Sequence, residues 1–395
     1  MPTLEATADD AAMIILTEAD LGPYVTHAPT RDWLTGPGLP PEIDLLTFAA
    51  LRTDGLRTVA DVTAAPDLLD RALRDRLVIG GLIAADGATS ESILLDGTTG
   101  EISTTYFFQD RPDLMDELPL APSLEILLRF AAVTEELATL RGRFAQYATD
   151  RGPQAVVAAS RALLSLFEED TDGEVPPYWR MAALIRPLSL IAGPGTHSGL
   201  TLDLPLRLLD EEFGAGEIVR FEDVDFPAAL THEPTRRFLR EVGLPEDGTW
   251  FTLDTDVPLP TLAEYEPADL GTAIELPENA DRLIDLGYLL EDTCLVVDGT
   301  TGEVLCWSTP DAALRPLNAD LSTLAYTLWL IHREKALDSR HGLTEAYEQL
   351  ADTLTRTLAA LDPTACAPTP RTPTDDGLRY WPQAFEDQAG GGLYP

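Results

Sequence analysis

Residues Thr26–Arg31 read THAPTR, and residues Thr231–Arg236 repeat them as THEPTR with a single difference. At the same spacing downstream, GLP at Gly38–Pro40 recurs as GLP at Gly243–Pro245. One short match can arise by chance, but collinear matches without a gap indicate an internal repeat. The chain is therefore predicted to contain two related copies of one fold, placed one after the other.

Further matches follow in the same order. The segment DGTTGE at Asp96–Glu101 recurs letter for letter at Asp298–Glu303, and Tyr178-Trp179 recurs as Tyr380-Trp381. The spacing between the copies shortens before the DGTTGE segment, which predicts a short insertion in the first copy around Asp86–Glu91. This stretch is polar and contains glycine, so a loop can lengthen there at little energetic cost.

Length and composition are consistent with two globular units. The chain has 395 residues, of which 45% are hydrophobic and 24% are charged. This is sufficient for two hydrophobic cores of ordinary domain size. Between the copies, the glycine-rich segment Gly193–Gly199 is typical of a linker or long loop. We therefore predict a first repeat at residues 1–195 and a second repeat at residues 196–395.

Each copy combines helical and strand patterns, so the predicted class is α+β. In the second copy, Pro234–Val242 has apolar residues at helical spacing, and Gly243 is placed to end the helix. Strand-forming residues flank both DGTTGE segments, which predicts a β-hairpin around each of them. The other predicted elements are a central strand before each hairpin and two helices after it: Leu77–Ile83, Leu283–Leu290, Ser123–Ala148, Ala155–Phe167, Leu321–Asp338 and Leu343–Leu361.

The repeated motifs are explained by local structure. His27 and His232 precede the short helix at equivalent positions, and we interpret them as structural rather than catalytic. In each hairpin, the Asp-Gly pair is expected to supply the positive φ of the turn, and the second glycine a bulge. A metal- or phosphate-binding loop is the alternative, but one carboxylate per hairpin is too few ligands, and no Gly-Lys-Ser/Thr follows. No metal and no cofactor are therefore expected.

The charge of the chain favours basic partners. Acidic residues outnumber basic ones by 67 to 27, which gives a net charge of −40. Such a surface repels phosphate backbones, so nucleic acid is not expected as a ligand; solubility alone is the alternative explanation. The candidate partner-binding residues are acids in predicted loops around the Pro234–Val242 helix, with ordinary solvated charge as the alternative interpretation: Glu222, Asp223, Asp225, Asp254 and Asp256.

A cytoplasmic protein without membrane contact is expected. The segment Met1–Asp20 has no basic region ahead of an apolar one, and the apolar stretch Met181–Ile191 is too short to cross a bilayer. The three cysteines are too few for a disulfide framework. Cys294 and Cys306 flank the second hairpin turn, so a cross-strand bridge or thiol switch is the alternative to buried, reduced thiols.

No catalytic motif is recognisable along the chain. It has no GxSxG elbow, no HExxH helix, no CxxC pair and no phosphate-binding loop. His197, His332 and His341 have no counterpart at the matching place in the other copy. An enzyme is therefore not expected, and no catalytic residue is predicted.

Taken together, the motifs resemble those of the SUKH superfamily, in particular its fourth subgroup, which is common in actinobacteria. The resemblance rests on the aromatic-Leu helix ending in GLP, the DGTTGE hairpin followed by Trp307, Pro316–Asn318 before a long helix, and the terminal Tyr380-Trp381. It is strongest over Thr231–Trp381 and weaker but collinear over Thr26–Trp179.

This resemblance implies two tandem SUKH-like domains, each with a mixed β-sheet flanked by helices. It also implies that the chain is an immunity protein. Such a protein binds and neutralises a toxin, often a nuclease or deaminase, that the same bacterium or its kin produces. The expected partner is therefore a protein, a basic toxin domain. Most such proteins are single domains, so an intracellular adaptor that uses two copies to join partners is the alternative function.

Overall fold

The computed structural model describes residues 12–108, 111–248, 250–255, 257–264, 276–289, 293–308, 312–367, 379–390 and 392–394. The chain divides into two compact units, one comprising Met1–Ala148 with Ala158–Ala183, and the other Thr149–Val157 with Leu184–Pro395. The boundary between residues 195 and 196 stays a prediction, because these units interleave along the chain.

The first copy is built on a seven-stranded antiparallel sheet. Its strands are β1 (Glu42–Ile43), β2 (Leu46–Thr47), β3 (Arg57–Thr58), β4 (Leu77–Ile83), β5 (Thr89–Leu95), β6 (Ile102–Thr105) and β7 (Leu118–Ala121). They are ordered β1-β2-β4-β5-β6-β7, and β3 pairs with β4 outside this order. Ile93, Leu94 and Leu95 are fully buried. Successive side chains of a strand point to opposite faces, so the middle of the sheet is covered on both sides.

Helices accompany this sheet and include the two predicted after the hairpin. Those up to residue 185 are α1 (Glu18–Leu21), α2 (Ala28–Thr35), α3 (Ala50–Asp54), α4 (Val59–Val62), α5 (Arg71–Arg74), α6 (Leu124–Ala138), α7 (Pro153–Asp170) and α8 (Pro177–Ile185). The side chain of Ser123 accepts the N–H of Ile126 at 3.3 Å, so α6 begins at a capping residue directly after β7.

The second copy repeats this architecture. Its strands are β8 (Gly193–Pro194), β9 (Leu202–Asp203), β10 (Ile218–Val219), β11 (Leu244–Pro245), β12 (Asp247–Gly248), β13 (Phe251–Leu253), β14 (Leu283–Leu289), β15 (Thr293–Asp298), β16 (Val304–Ser308) and β17 (Ala313–Asn318). The main sheet is ordered β12-β13-β14-β15-β16-β17, so each of its strands has a counterpart in the first sheet. The predicted duplication, both hairpins and the α+β class are confirmed.

The pairs in both main sheets are antiparallel among the described residues, whereas the resemblance implied a mixed sheet. The reason lies in the connections. Strands β4 to β7 and β14 to β17 follow one another directly along the chain, and parallel neighbours would need long crossover connections between them.

The helices of the second copy include counterparts of four helices of the first. They are α9 (Leu208–Phe213), α10 (Glu233–Glu241), α11 (Leu321–His341), α12 (Tyr347–Ala359), α13 (Pro363–Cys366) and α14 (Tyr380–Glu386). Helices α2 and α10 carry the repeated THxPTR motif, and α11 and α12 correspond to α6 and α7. In the described part of the chain, no helix has the length and apolar character that a membrane crossing requires.

A further helix, not predicted from the sequence, carries the Tyr-Trp pair and follows the predicted helices in each copy. Helices α8 and α14 each carry the repeated Tyr-Trp pair, and both tryptophans are fully buried. The Trp179 indole N–H donates to the Leu120 carbonyl in β7 at 2.8 Å, and that of Trp381 donates to Oδ1 of Asn318 in β17 at 3.0 Å. The prediction of two helices per copy is wrong because these short helices depend on tertiary contacts, and short segments show little periodicity.

The segment Gly193–Gly199, predicted as a linker or long loop, is an ordered loop closed by β8 and β9. The Asp203 carboxylate accepts the backbone N–H groups of Thr196, His197 and Ser198 at 2.9, 3.0 and 2.8 Å. Burial acts to raise the pKa of Asp203, but these hydrogen bonds outweigh it and lower the pKa below its usual range. The loop is therefore shaped by its own hydrogen bonds.

The cysteines form no disulfide, and the sheet register explains why. Cys294 lies opposite Trp307, whereas Cys306 lies opposite Leu295. Neighbouring positions along a strand face opposite sides of the sheet, so the two sulfur atoms point away from each other. The cross-strand bridge is thus excluded in this register, and both thiols are buried, which agrees with the prediction of reduced cysteines.

The predicted insertion lies in the turn between the first two long strands. In the first copy, β4 and β5 are joined by residues 84–88. The corresponding turn of the second copy contains residues 290–292, which lie outside the described residues. The difference in length between the two turns therefore stays a prediction.

Candidate functional site

The two repeated motifs contact each other in both copies. In the second copy, the backbone N–H groups of Thr231 and His232 donate to the carbonyl of Gly299 at 2.8 and 2.9 Å. The first copy has the same pair of hydrogen bonds at Gly97, with distances of 2.7 and 2.9 Å. The start of the short helix is therefore docked on the hairpin turn, which explains why both motifs are retained together.

The turn glycines have different roles from those expected. The positive φ occurs at the second glycine of DGTTGE, Gly100 at 84° and Gly302 at 81°, and not at the first. A Cβ atom at Gly299 would collide with the carbonyl oxygen of Ala229. The first glycine is therefore required by the docked segment before the helix, and the expectation of positive φ at the Asp-Gly pair is wrong.

The paired histidines belong to the same contact. Nδ1 of His232 lies 2.8 Å from Oγ1 of Thr235, and the His27–Thr30 pair has the same distance. A Cβ atom at Gly302 would collide with the His232 ring, so the hairpin and the histidine are closely packed. These contacts support the interpretation of both histidines as structural residues.

The arginine that ends the motif reaches back to the preceding turn. Arg236 donates to the Asp223 carboxylate at 3.3 Å, and Arg31 forms an ion pair with Glu18 at the equivalent position of the first copy. Asp223 also accepts a hydrogen bond from Arg240 at 2.9 Å. These two guanidinium groups, Arg236 first, hold the pKa of Asp223 below its usual range. Asp223 therefore contributes to the fold, while its side chain remains 62% exposed.

Glu222 and Asp225 form a reciprocal cap around a 3₁₀ turn. The Asp225 carboxylate accepts the N–H of Glu222 at 2.7 Å, and the N–H of Asp225 donates to the backbone carbonyl of Glu222 at 3.0 Å. Thr17 and Asp20 form the same cap in the first copy. The turn thus recurs with different residues, which shows that an acid at the Glu222 position is not required to build it.

The structure brings the two predicted acidic loops together. The N–H of Leu259 donates to the carbonyl of Asp225 at 2.9 Å, so the loop after β13 lies against the turn before α10. Asp254 directly follows β13, is half-buried, and donates its N–H to the carbonyl of Leu286 at 2.9 Å. Asp256, the last of the predicted residues, lies outside the described residues.

A further acid at this place was missed in the sequence analysis. Asp285 in β14 is 1% exposed, and its Oδ1 accepts the N–H of Gly287 at 3.0 Å. Its Oδ2 has no hydrogen-bond partner among the described residues. Burial, with a smaller contribution from Asp254, raises the pKa of Asp285 to about 6. The first copy has Val78 at the equivalent place, since Asp285 pairs with Val296 as Val78 pairs with Leu94, so the two copies differ in polarity there.

Exposed valines flank the hydrogen bond that joins the loops. Val224 precedes Asp225 and is 78% exposed, and Val257 lies two residues before Leu259 and is 54% exposed. Apolar groups bordered by charge are typical of protein interfaces. We name this surface the acidic loop pair, and it comprises Glu222, Asp223, Val224, Asp225, Asp254, Val257 and the underlying Asp285.

The first copy contains a separate acidic groove of about 470 Å³. Arg76 is the cation among its described lining residues, and it pairs with Asp96 and, at 3.0 Å, with Glu117. The acids that line the groove are Glu101, Glu117, Asp170, Asp172 and Glu174. No histidine or cysteine is among these described lining residues, and the Ser103 hydroxyl in the groove donates to Oε1 of Glu117 at 2.5 Å.

The described residues form no metal centre, and burial makes the thiols of Cys306 and Cys366 unreactive. Among them, no group of three or more His, Cys, Asp or Glu side chains is placed to hold a metal ion. Burial raises the pKa of the Cys306 thiol to about 11 and that of Cys366 to about 12. Both thiols are therefore protonated at neutral pH, and thiols react as thiolates.

A family model described as SUKH-4 immunity protein matches residues 2–168 and, a second time, residues 204–387. Each matched region contains one main sheet, one THxPTR motif and one DGTTGE hairpin. No curated protein and no solved structure matches the chain. The family match thus occurs twice, once in each copy of the fold.

Proposed function

The chain belongs to the SUKH-4 immunity protein family, and we propose that it binds a toxin protein of its own bacterium or its kin and blocks the toxin's activity. The double family match over both copies is the observation that supports this proposal. Inhibition follows from binding alone, so the proposed protein is not an enzyme and uses neither cofactor nor metal. Its proposed place of action is the cytoplasm, where an intracellular toxin would act.

The proposed partner is a basic toxin domain such as a nuclease or deaminase. Enzymes that act on nucleic acids bind phosphate groups through lysine and arginine. A protein with a net charge of −40 attracts such a surface over long range and competes with the phosphates for it. The same charge disfavours binding of nucleic acid by this chain. We therefore propose that acidic side chains of this protein occupy the toxin's substrate groove.

The acidic loop pair is the proposed contact surface. It contains Glu222, Asp223, Asp225 and Asp254 of the acids selected for partner binding, and Asp256, which lies outside the described residues, is proposed with them. Glu222 and Asp223 are exposed although they also take part in the turn. Exposed carboxylates next to exposed valines combine long-range attraction with apolar burial, which is the combination found in tight protein interfaces.

Co-expression with the toxin encoded beside its own gene tests this proposal. The intact chain should restore growth of cells that produce the toxin, and it should bind a catalytically inactive form of the toxin domain in solution. Cells that produce the inactive toxin alone control for expression burden. A chain that neither binds the linked toxin nor protects against it would refute the proposed function.

The duplication favours a second candidate function, an intracellular adaptor. Each copy has its own main sheet and its own buried tryptophan, so each could present a separate surface to a partner. Two linked surfaces raise the effective affinity for an assembly that both can reach. Isolation of a stable complex with two different cellular proteins, in cells that lack the toxin, would support the adaptor over the immunity protein.

A further inference from the structure

The two copies share a fold, so positions at which they differ in charge and burial show what the fold does not require. Val224 and Asp254 of the second copy correspond to Ala19 and Ala49 of the first by their spacing from the repeated motifs, and Asp285 corresponds to Val78 by its place in the sheet. The first copy forms the same strand order and the same capped turn without these residues. A reason other than folding is needed for the valine and the two acids.

From this difference we propose that the toxin docks on the acidic loop pair of the second copy, and not on the corresponding surface of the first. This inference rests on the proposed function and adds two points to it. It names the copy that binds, and it specifies the partner's groups, which are an arginine or lysine side chain beside an apolar one.

Asp285 supplies the clearest sign of a ligand. A carboxyl group that is 1% exposed, with one oxygen lacking a hydrogen-bond partner among the described residues, destabilises the protein that carries it. Valine at the equivalent place in the first copy, Val78, has no such cost. A guanidinium or ammonium group next to Asp254 would place a positive charge close to both carboxylates and offset this cost in the complex.

The exposed valines supply the apolar part of the surface. Val224 and Val257 lie on the two loops that the Leu259–Asp225 hydrogen bond joins. A partner side chain packed on these valines would remove apolar surface from water. It would also exclude water from the neighbouring acids, and an ion pair is stronger where water is excluded.

The surface is already shaped before a partner arrives. Backbone hydrogen bonds hold the loop after β13 at both ends, from Asp254 to Leu286 at 2.9 Å and from Asp285 to Pro260 at 3.0 Å. Ordering a loop on binding lowers affinity, because the loop loses conformational entropy. A loop that is already ordered in the free protein loses less entropy when the partner binds.

Val224 and Ala19 provide a matched pair of variants, because both are exposed and occupy the same position of the same capped turn. The probe is the catalytically inactive domain of the toxin against which the intact chain protects cells. Val224→Arg should raise the Kd about tenfold or more, since it places a positive charge where the partner's own cation docks. Ala19→Arg should leave the Kd within about twofold. Equal weakening by both variants, or unchanged binding by Val224→Arg, would overturn the inference.

Asp285→Asn separates recognition from folding. The amide keeps the size of the side chain and can still accept the N–H of Gly287, so the melting temperature should be unchanged or higher. Binding of the same probe should weaken about tenfold, because the charge that attracts the partner's cation is lost. A lower melting temperature with unchanged binding would assign Asp285 a structural role and refute the inference. Failure of the intact chain to bind or protect would instead refute the proposed function, and this inference with it.

Discussion

At the scale of single residues, Glu334 shows how a buried acid couples stability to pH. It lies on α11, is fully buried, and neither carboxyl oxygen has a hydrogen-bond partner among the described residues. Burial, with Asp338 nearby, raises the pKa of Glu334 to about 8, while Lys335 acts in the opposite direction. At neutral pH the folded protein therefore holds a proton that the unfolded chain releases, because the ordinary pKa of this group is 4.5.

We predict that the free energy of unfolding falls as the pH rises from about 4.5 to about 8, since the extra bound proton favours the folded state only below the raised pKa. At about 1.4 kcal/mol per pKa unit, the effect is on the order of 5 kcal/mol. Glu334→Gln should flatten this dependence, whereas Glu348→Gln, at an exposed position on α12, should not. Thermal unfolding across this pH range measures the stability of both variants and of the wild type. An equal pH dependence of stability for the wild type and Glu334→Gln would contradict the prediction.

At the scale of elements, the fold of each copy depends on a hairpin docked against the start of a helix. Gly302 is one of the tight points of this contact in the second copy. Its φ is 81°, and a side chain there would collide with both His232 and Thr235. The contact joins segments that are far apart in the chain, so its loss would loosen the helix from the sheet.

Gly302→Ala should lower stability by about 2–3 kcal/mol, because it adds a steric collision to the strain of a positive φ. Two other glycines of the same copy serve as controls. Gly214→Ala has only the strain of φ 97°, with its nearest neighbour atom at 3.8 Å, and Gly216→Ala has no neighbour within 4 Å. Denaturant unfolding should rank the losses in the order Gly302, Gly214, Gly216. A loss at Gly302 no larger than that at Gly214 would show that the docking contact is weak.

At the scale of the whole molecule, the net charge of −40 governs how a partner approaches. Long-range attraction raises association rates, and dissolved salt screens it over a distance of about 8 Å at physiological ionic strength. Charge near the contact surface acts most strongly on the approach. The association rate should therefore depend on the position of each acid as well as on the total charge.

The association rate with the toxin domain should fall by about tenfold as salt is raised from low to high concentration. Asp254→Lys should slow association at low salt more than Glu169→Lys, an equal charge change at an exposed position on α7. The melting temperature should change little in both variants. Stopped-flow or surface-based kinetics measure the association rates. Identical rates for the two variants at low salt would show that Asp254 has no special effect on association with the toxin domain.

The sequence by itself determined what is encoded locally or by repetition. Repeated motifs predicted two copies of one fold, and β-forming residues around each DGTTGE segment predicted both hairpins. Gly243 predicted the end of the α10 helix, which the structure places at Glu241. These predictions succeed because turn chemistry and side-chain periodicity act between residues that are close together in the chain.

Only the tertiary structure decided features that depend on distant segments meeting. Gly299 is glycine because the Ala229 carbonyl lies against it, and the two short Tyr-Trp helices form because their tryptophans reach the last strand of each sheet. The acidic loops could be identified as charged segments, but their joining through Leu259 and Asp225 and the buried Asp285 beside Asp254 could not. No local pattern specifies which loops meet, since that contact follows from the packing of the whole sheet.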